Sequence, residues 1–278
     1  MSRTIDAHLH LWTRSAGAYP WITPELGALD ADFGPDDARA ELDAAGVDAA
    51  ILVQADDTAA DTRFMLDVAA QHDWVVGVVG WVPLDDTRAA VAALDDLAVE
   101  PRLRGIRHLV HDDPRDDFLD LPAVHASLAE VAARGLAFDV PDAWPRHLDA
   151  ARRVAAAIPE LTVVVDHLAK PPVGRDDFDD WRWAFAAVAA LPNTVAKFSG
   201  LHLPGVAFAE STVRPLWDIA IEEFGAERLM YGGDWPMSVP HGGYQPTWNV
   251  MRGCIDELAA AEAAAVLGRT AERVYRLE

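Results

Sequence analysis

Residues 4–10 read Thr4-Ile5-Asp6-Ala7-His8-Leu9-His10, and the residues that end this run decide the fold. Its β-branched and apolar content marks a strand over 4–10. An open, doubly wound nucleotide-binding sheet would place a glycine-rich turn after its first strand, where backbone approaches a pyrophosphate. This chain places two histidines there instead. Working outward, similar short runs recur at 48–54, 74–82, 103–109, 137–140, 162–167, 195–199 and 229–234. Several are apolar on both phases, as in Ile51-Leu52-Val53, Val75-Val76 and Val163-Val164-Val165, the pattern of strands buried on both faces. Alanine-rich amphipathic stretches lie between them, at 36–45, 58–72, 87–98, 122–134, 145–158, 179–190 and 213–224. A helical tail comes last, over 247–259, 262–267 and 270–276. Eight strands alternating with helices fit the length of a (β/α)8 TIM barrel, about 250 residues. No Pro/Gly/Ser linker divides the chain, so the expectation is one α/β TIM-barrel domain over residues 1–278.

Composition narrows the partners. The chain has 45 acidic and 23 basic side chains, a formal net charge of −22. Such a surface repels phosphate backbones and speaks against a nucleic-acid partner. Acidic runs such as Asp36-Asp37 and Asp85-Asp86 read as solvated helix starts. The longest apolar run, near residues 74–84, is far short of the ~20 residues of a membrane span. The N-terminus shows no secretory signal. The single cysteine, Cys254, has no partner in the chain, so a reducing, cytoplasmic setting is expected. A small molecule is the expected ligand, and a homo-oligomer stays open.

The chemistry starts at His8 and His10. Period-2 alternation puts both imidazoles on one strand face, an arrangement that suits a divalent ion such as zinc. A lone His-x-His is a weak signal, since short motifs recur by chance and by packing. His167 ends the sixth predicted strand and Asp234 the eighth. All four therefore fall at C-terminal strand ends, where barrel active sites are built. Arg107, ending the fourth strand, is costly to bury without a polar partner; it binds substrate or pairs with a neighbouring acid. A one-residue slip of register would put His108 in its place. Lys197, within the seventh strand before Ser199-Gly200, and Gln54, ending the second, are further candidate substrate contacts. Trp21, in the loop after the first strand, and Trp235, beside Asp234, are candidate apolar walls, with Tyr19-Pro20-Trp21 a candidate lid or plug. Trp181, Trp183 and Trp217 lie in helical patterns and read as core.

Six segments together carry a family resemblance: Asp6-Ala7-His8-Leu9-His10-Leu11-Trp12, Tyr19-Pro20-Trp21, Gly105-Ile106-Arg107, Asp166-His167-Leu168-Ala169-Lys170-Pro171, Lys197-Phe198-Ser199-Gly200-Leu201 and Tyr231-Gly232-Gly233-Asp234-Trp235-Pro236. The chain resembles the lactonase branch of the amidohydrolase superfamily, with its fuconolactonases, rhamnonolactonases and pyrone-dicarboxylate lactonases. The resemblance implies a TIM barrel of the metal-dependent-hydrolase type that opens a small lactone, a sugar aldonolactone first. It implies that His8, His10, His167 and Asp234 are the metal or catalytic positions and that Arg107 holds substrate. The fifth strand offers no histidine and the fourth no lysine, a departure from the binuclear members of the superfamily. What the resemblance leaves is one divalent ion, zinc first, or chemistry without a metal. Asp234 is the water-activating base in either case. The alternatives are a metal-dependent decarboxylase of a small aromatic or unsaturated acid and a non-catalytic barrel that binds small molecules.

Overall fold

A computed structural model describes residues 3–203 and 205–277. Its eight strands are β1 (Ile5–Leu9), β2 (Ala49–Val53), β3 (Val75–Gly80), β4 (Leu103–Arg107), β5 (Ala137–Val140), β6 (Val163–Val165), β7 (Thr194–Phe198) and β8 (Leu229–Tyr231). They form one parallel sheet in chain order. The helices between them are α1 (Pro35–Ala45), α2 (Ala59–Gln71), α3 (Thr87–Asp96), α4 (Pro122–Ala133), α5 (Leu148–Ala157), α6 (Phe178–Ala189) and α7 (Glu210–Phe224). After β8 come α8 (Tyr244–Ile255), α9 (Ala260–Ala264), a π-helical turn (Ala265–Arg269) and α10 (Thr270–Val274). The cylinder closes through a parallel bridge between Leu9 and Trp235. There the His10 N–H donates to the Trp235 carbonyl at 2.7 Å and the Asp234 N–H to the His8 carbonyl at 2.8 Å. The expected (β/α)8 barrel is present.

Side chains sort into two layers by strand alternation. Leu52, Val78, Ile106, Phe138, Val165 and Phe198 pack outward against the helices. Ala7, Ile51, Val79, Val164, Val195 and Met230 form an inner cluster, joined by Ala271, Val274 and Tyr275 of the tail. Each large apolar side chain so buried contributes about 1.5–3 kcal/mol. The tail seals the barrel end away from the strand C-termini, leaving the opposite mouth for chemistry.

Boundaries reflect local chemistry. Asp86 caps α3, its carboxylate accepting from the Ala89 N–H at 3.0 Å. The sixth and eighth strands stop earlier than the sequence pattern suggests, because the chain turns left-handed at residues 167–170 and at Asp234. Trp181 and Trp217 are core, but Trp183 is 71% exposed. It sits two residues from Trp181 in α6, about 200° around the helix, on the opposite face. No helix among the described residues is long and apolar enough to cross a membrane.

Candidate active site

A bulge in β1 aims the histidines. The register with β2 runs Asp6↔Ala50 and then Leu9↔Leu52, so β1 carries one extra residue. A bulge of this kind re-aims a side chain and frees a backbone donor. Here Asp6 takes the freed donor: its Oδ1 accepts from the His8 N–H and the Gly233 N–H, both at 2.9 Å, and its Oδ2 from the Tyr244 hydroxyl at 2.7 Å. Asp6 thus ties β1 to the segment carrying Asp234. Burial pushes its carboxyl up to about 6, against the three hydrogen bonds that favour the charge.

His167 is placed by strain. His167, Leu168, Ala169 and Lys170 all have positive φ, between 51° and 62°. For non-glycine residues that conformation costs about 1–2 kcal/mol each. Neighbours hold the turn: the Trp181 indole donates to the Leu168 carbonyl at 3.0 Å, and the Lys170 ammonium to the Gly200 carbonyl at 2.9 Å. His167 Nδ1 lies 2.9 Å from the Ser199 hydroxyl. Gly200, at φ +56°, leaves the room this requires. A Cβ there would overlap the His167 ring and stand 2.7 Å from Asp234 Oδ2. Gly200→Ala is therefore expected to lower kcat about 100-fold, the usual cost of a misplacement near 1 Å. Steady-state kinetics on folded protein checks it.

All four predicted residues meet at the mouth. His8 Nε2 lies 3.1 Å from His10 Nε2 and 3.8 Å from Asp234 Oδ1, and His10 Nε2 lies 3.4 Å from the same oxygen. The His8 and His167 ring centroids are 4.5 Å apart. Burial pushes the His8 imidazole well below its ordinary range, with the Lys197 and His167 charges adding to the effect against the Asp166 carboxylate. Burial likewise brings His167 down to about 4. For Asp234 burial works the other way, yet His167, the His10 hydrogen bond and His8 hold its carboxyl far below the usual carboxylate range. At neutral pH an ionised carboxylate faces the uncharged rings of His8 and His167.

Above this cluster opens a cavity of about 350 Å³, the size of a small-ligand site. His10, His167, Asp234 and Arg107 line its inner end, Trp12, Trp21, Leu26 and Met237 one apolar side, and His111, Asp112, Asp142 and Lys170 a polar side. A family model described as amidohydrolase matches residues 5–277. The chain belongs to the amidohydrolase family. This amidohydrolase is 37% identical to a Burkholderia ambifaria protein named L-fucono-1,5-lactonase, over 100% of this chain and 97% of that one. It is 33% identical to a Burkholderia multivorans protein of the same name, over 98% and 96% of the two chains. A B. multivorans amidohydrolase crystallised with HEPES and, in a second crystal form, with zinc superposes on it with TM-scores of 0.90 and 0.88. In both forms the identity is 30% and each chain is covered in full.

Not every sequence candidate reaches the cavity of this amidohydrolase. Lys197, Gln54 and Trp235 are absent from its lining. Lys197 is fully buried below the histidines, its ammonium 2.5 Å from Asp139 Oδ2 and 3.1 Å from Asp166 Oδ1. Gln54 donates its side-chain amide to Asp57 at 2.7 Å, and its side-chain oxygen lies 3.3 Å from Arg107 Nη2. Trp235 packs edge-on against Phe33. Trp21 does line the cavity, fixed by an indole hydrogen bond to the Ala55 carbonyl at 2.7 Å. Arg107 lines it too, while its fork engages Asp166 Oδ2 at 3.1 Å and the Gln54 carbonyl at 2.5 Å, so the expected pairing with a neighbouring acid is present. His108 stands off the cavity, stacked on Phe118.

Asp166 is the residue that sequence reasoning missed. Burial disfavours its charge, but Lys197, His8 and Arg107 outweigh that and hold it well below the usual carboxylate range. Its adjacency to His167 was the available signal.

The donor set fits a single divalent ion. One ligand atom each from His8, His167 and Asp234 lies within 4.8 Å of the others, the only such set of three or more among the described residues. Neutral imidazole and ionised carboxylate are the forms that coordinate. His10 supports the fit by orientation: its Nδ1 bonds the Val53 carbonyl at 2.7 Å, which turns Nε2 toward the cluster, 3.4 Å from Asp234 Oδ1.

Proposed function

We propose that this amidohydrolase opens a small sugar lactone with water, L-fucono-1,5-lactone being the first substrate to try. One observation carries the reading: Asp234, buried and gathered with His8, His10 and His167, stands on the floor of a cavity of ligand size. Full-length similarity to two proteins named L-fucono-1,5-lactonase supports it.

Asp234 takes a proton from a water in the mouth as that water attacks the lactone carbonyl carbon. Hydrogen-bond donors at the cluster stabilise the oxygen that becomes negative. The carbon–ring-oxygen bond breaks, and Asp234 returns the proton to the departing alkoxide. Arg107 and Trp21 orient the ring against the polar and apolar sides. A divalent ion, zinc first, would be held by His8, His167 and Asp234 and would supply Lewis-acid polarisation of the carbonyl. A reducing, cytoplasmic setting belongs to the same proposal and rests on the lone, buried Cys254.

A pH-indicator screen of aldonolactones, pyrone lactones and muconate lactones, run with and without chelator, tests the reaction class. Acid release from an aldonolactone supports the proposal. Carbon dioxide from a parallel panel of aromatic acids, with every lactone untouched, would replace it by a decarboxylase.

The site also sets the pH profile. Asp234 stays ionised and His167 uncharged down to about 4, and Asp6, which gains a proton near pH 6, lies outside the cavity lining, so kcat/KM is expected to stay level from pH 7 to about 5. Acidification then protonates His167 and activity falls. A decline already under way at pH 6.5, where an unperturbed histidine titrates, would show that burial does not hold these rings neutral. Initial rates measured by chromatography give the profile.

A further inference from the structure

Two left-handed turns build the polar side of the cavity. Where β5 ends, Pro141 and Asp142 enter its wall, with Asp142 at φ +43°. Lys170, also in the wall, closes the left-handed run that begins at His167 and has φ +55°. The Trp144 N–H donates to the Ala169 carbonyl at 3.1 Å, which ties the two turns together. Backbone strain of this kind persists only where the surroundings impose it, and it gathers at sites that hold ligands. The side chains it places are opposite in charge but do not bond: Lys170 Nζ stands 3.9 Å from Asp142 Oδ1, past hydrogen-bond range. The ammonium gives one hydrogen to the Gly200 carbonyl at 2.9 Å and has two more to donate. Ammonium and carboxylate side chains are 27% and 33% exposed, so neither is sealed into the wall.

The charge of the cavity limits what this pair can hold. Its lining carries two cations, Arg107 and Lys170, against three carboxylates, Asp112, Asp142 and Asp234. Arg107 already commits its fork to Asp166 and the Gln54 carbonyl. A carboxylate on the substrate would therefore meet an excess of like charge, which selects against it. A hydroxyl carries no charge and both donates and accepts, which suits a donor and an acceptor side by side. We propose that Asp142 and Lys170 determine specificity by reading two neighbouring ring hydroxyls, Lys170 donating to one and Asp142 accepting from the other. The substrate is then an uncharged lactone with adjacent hydroxyls and not a carboxylated one. This rests on the hydrolytic reading of the cavity and adds the residues that tell one lactone from another.

The test compares kcat/KM for an aldono-1,5-lactone with kcat/KM for δ-valerolactone, the same ring without hydroxyls. Parent, Asp142→Asn and Lys170→Met are measured alike, and asparagine tolerates the left-handed backbone at 142. The ratio of the two constants is expected to fall about 10- to 100-fold in each variant, the scale of a lost hydrogen bond to a charged group. Lys170 also holds the turn carrying His167 through the Gly200 carbonyl. A purely structural loss would lower both constants together and leave their ratio where it was. An unchanged ratio in either folded variant overturns the proposal. If Lys170→Met does not fold, Lys170→Gln takes its place, since its amide can still donate to that carbonyl. A parent that prefers a carboxylated pyrone lactone to the aldonolactone overturns the proposal too. A parent that opens the aldonolactone while the ratio stays fixed sinks this inference alone, whereas one that opens no lactone sinks the hydrolytic reading with it.

Discussion

Asp234→Asn is expected to lower turnover at least ~100-fold, the scale of a lost general base, while the protein stays folded. The structural cost is small for two reasons. Asp234 has φ +51°, and asparagine is among the few residues that tolerate that conformation. Its backbone N–H bond to the His8 carbonyl, which helps close the barrel, does not depend on the side chain. What the variant loses is the negative charge held beside His8 and His10. An amide cannot accept a proton from water at neutral pH. Circular dichroism and thermal unfolding should match the parent to within a few degrees while kcat collapses. Near-parental turnover in a folded Asp234→Asn variant would remove Asp234 from the chemistry.

Lys197→Met is expected to destabilise the protein by ~3–5 kcal/mol, the cost of breaking a buried ion pair from one side. The ammonium sits between Asp139 and Asp166 with all three side chains fully buried. Removing it leaves Asp166 with Arg107 at 3.1 Å. Asp139 keeps only the Tyr275 hydroxyl, at 2.7 Å. A methionine fills most of the volume, so the loss is electrostatic and not a cavity effect. Adding Asp139→Asn should restore part of it, because the orphaned charge goes too. Urea denaturation of the parent, single and double variants measures both steps. A loss below about 1 kcal/mol for the single variant would mean the pair behaves as a solvated one.

The barrel was legible because its strands are apolar on both phases and its helices are not, a difference in period that survives without coordinates. His8, His10, His167 and Asp234 were legible because strand-end position in a barrel places residues far apart in sequence at one mouth. The rest depended on directions that the sequence does not carry. Gln54, Lys197 and Trp235 lie at or beside predicted strand ends, yet depth and side-chain direction take them away from the cavity. The bulge that aims His8 has no signature in Asp6-Ala7-His8, and Asp6 shows its role only once Gly233 and Tyr244 are beside it. Asp166 looked like a neighbour of His167. Its partners come from β1, β4 and β7, and no local pattern brings those together. Trp183 was misread because a tryptophan in a helical stretch marks the core only on the face that packs.

A single turnover of L-fucono-1,5-lactone in water enriched in oxygen-18, with enzyme in excess, tests the central claim most directly. If Asp234 activates water for attack on the carbonyl, the hydroxy acid formed in that first turnover carries one heavy oxygen in its carboxylate, and Asp234 carries none. Unlabelled product with heavy oxygen in Asp234 would make the aspartate a nucleophile, and no turnover of any lactone would remove the hydrolytic account altogether.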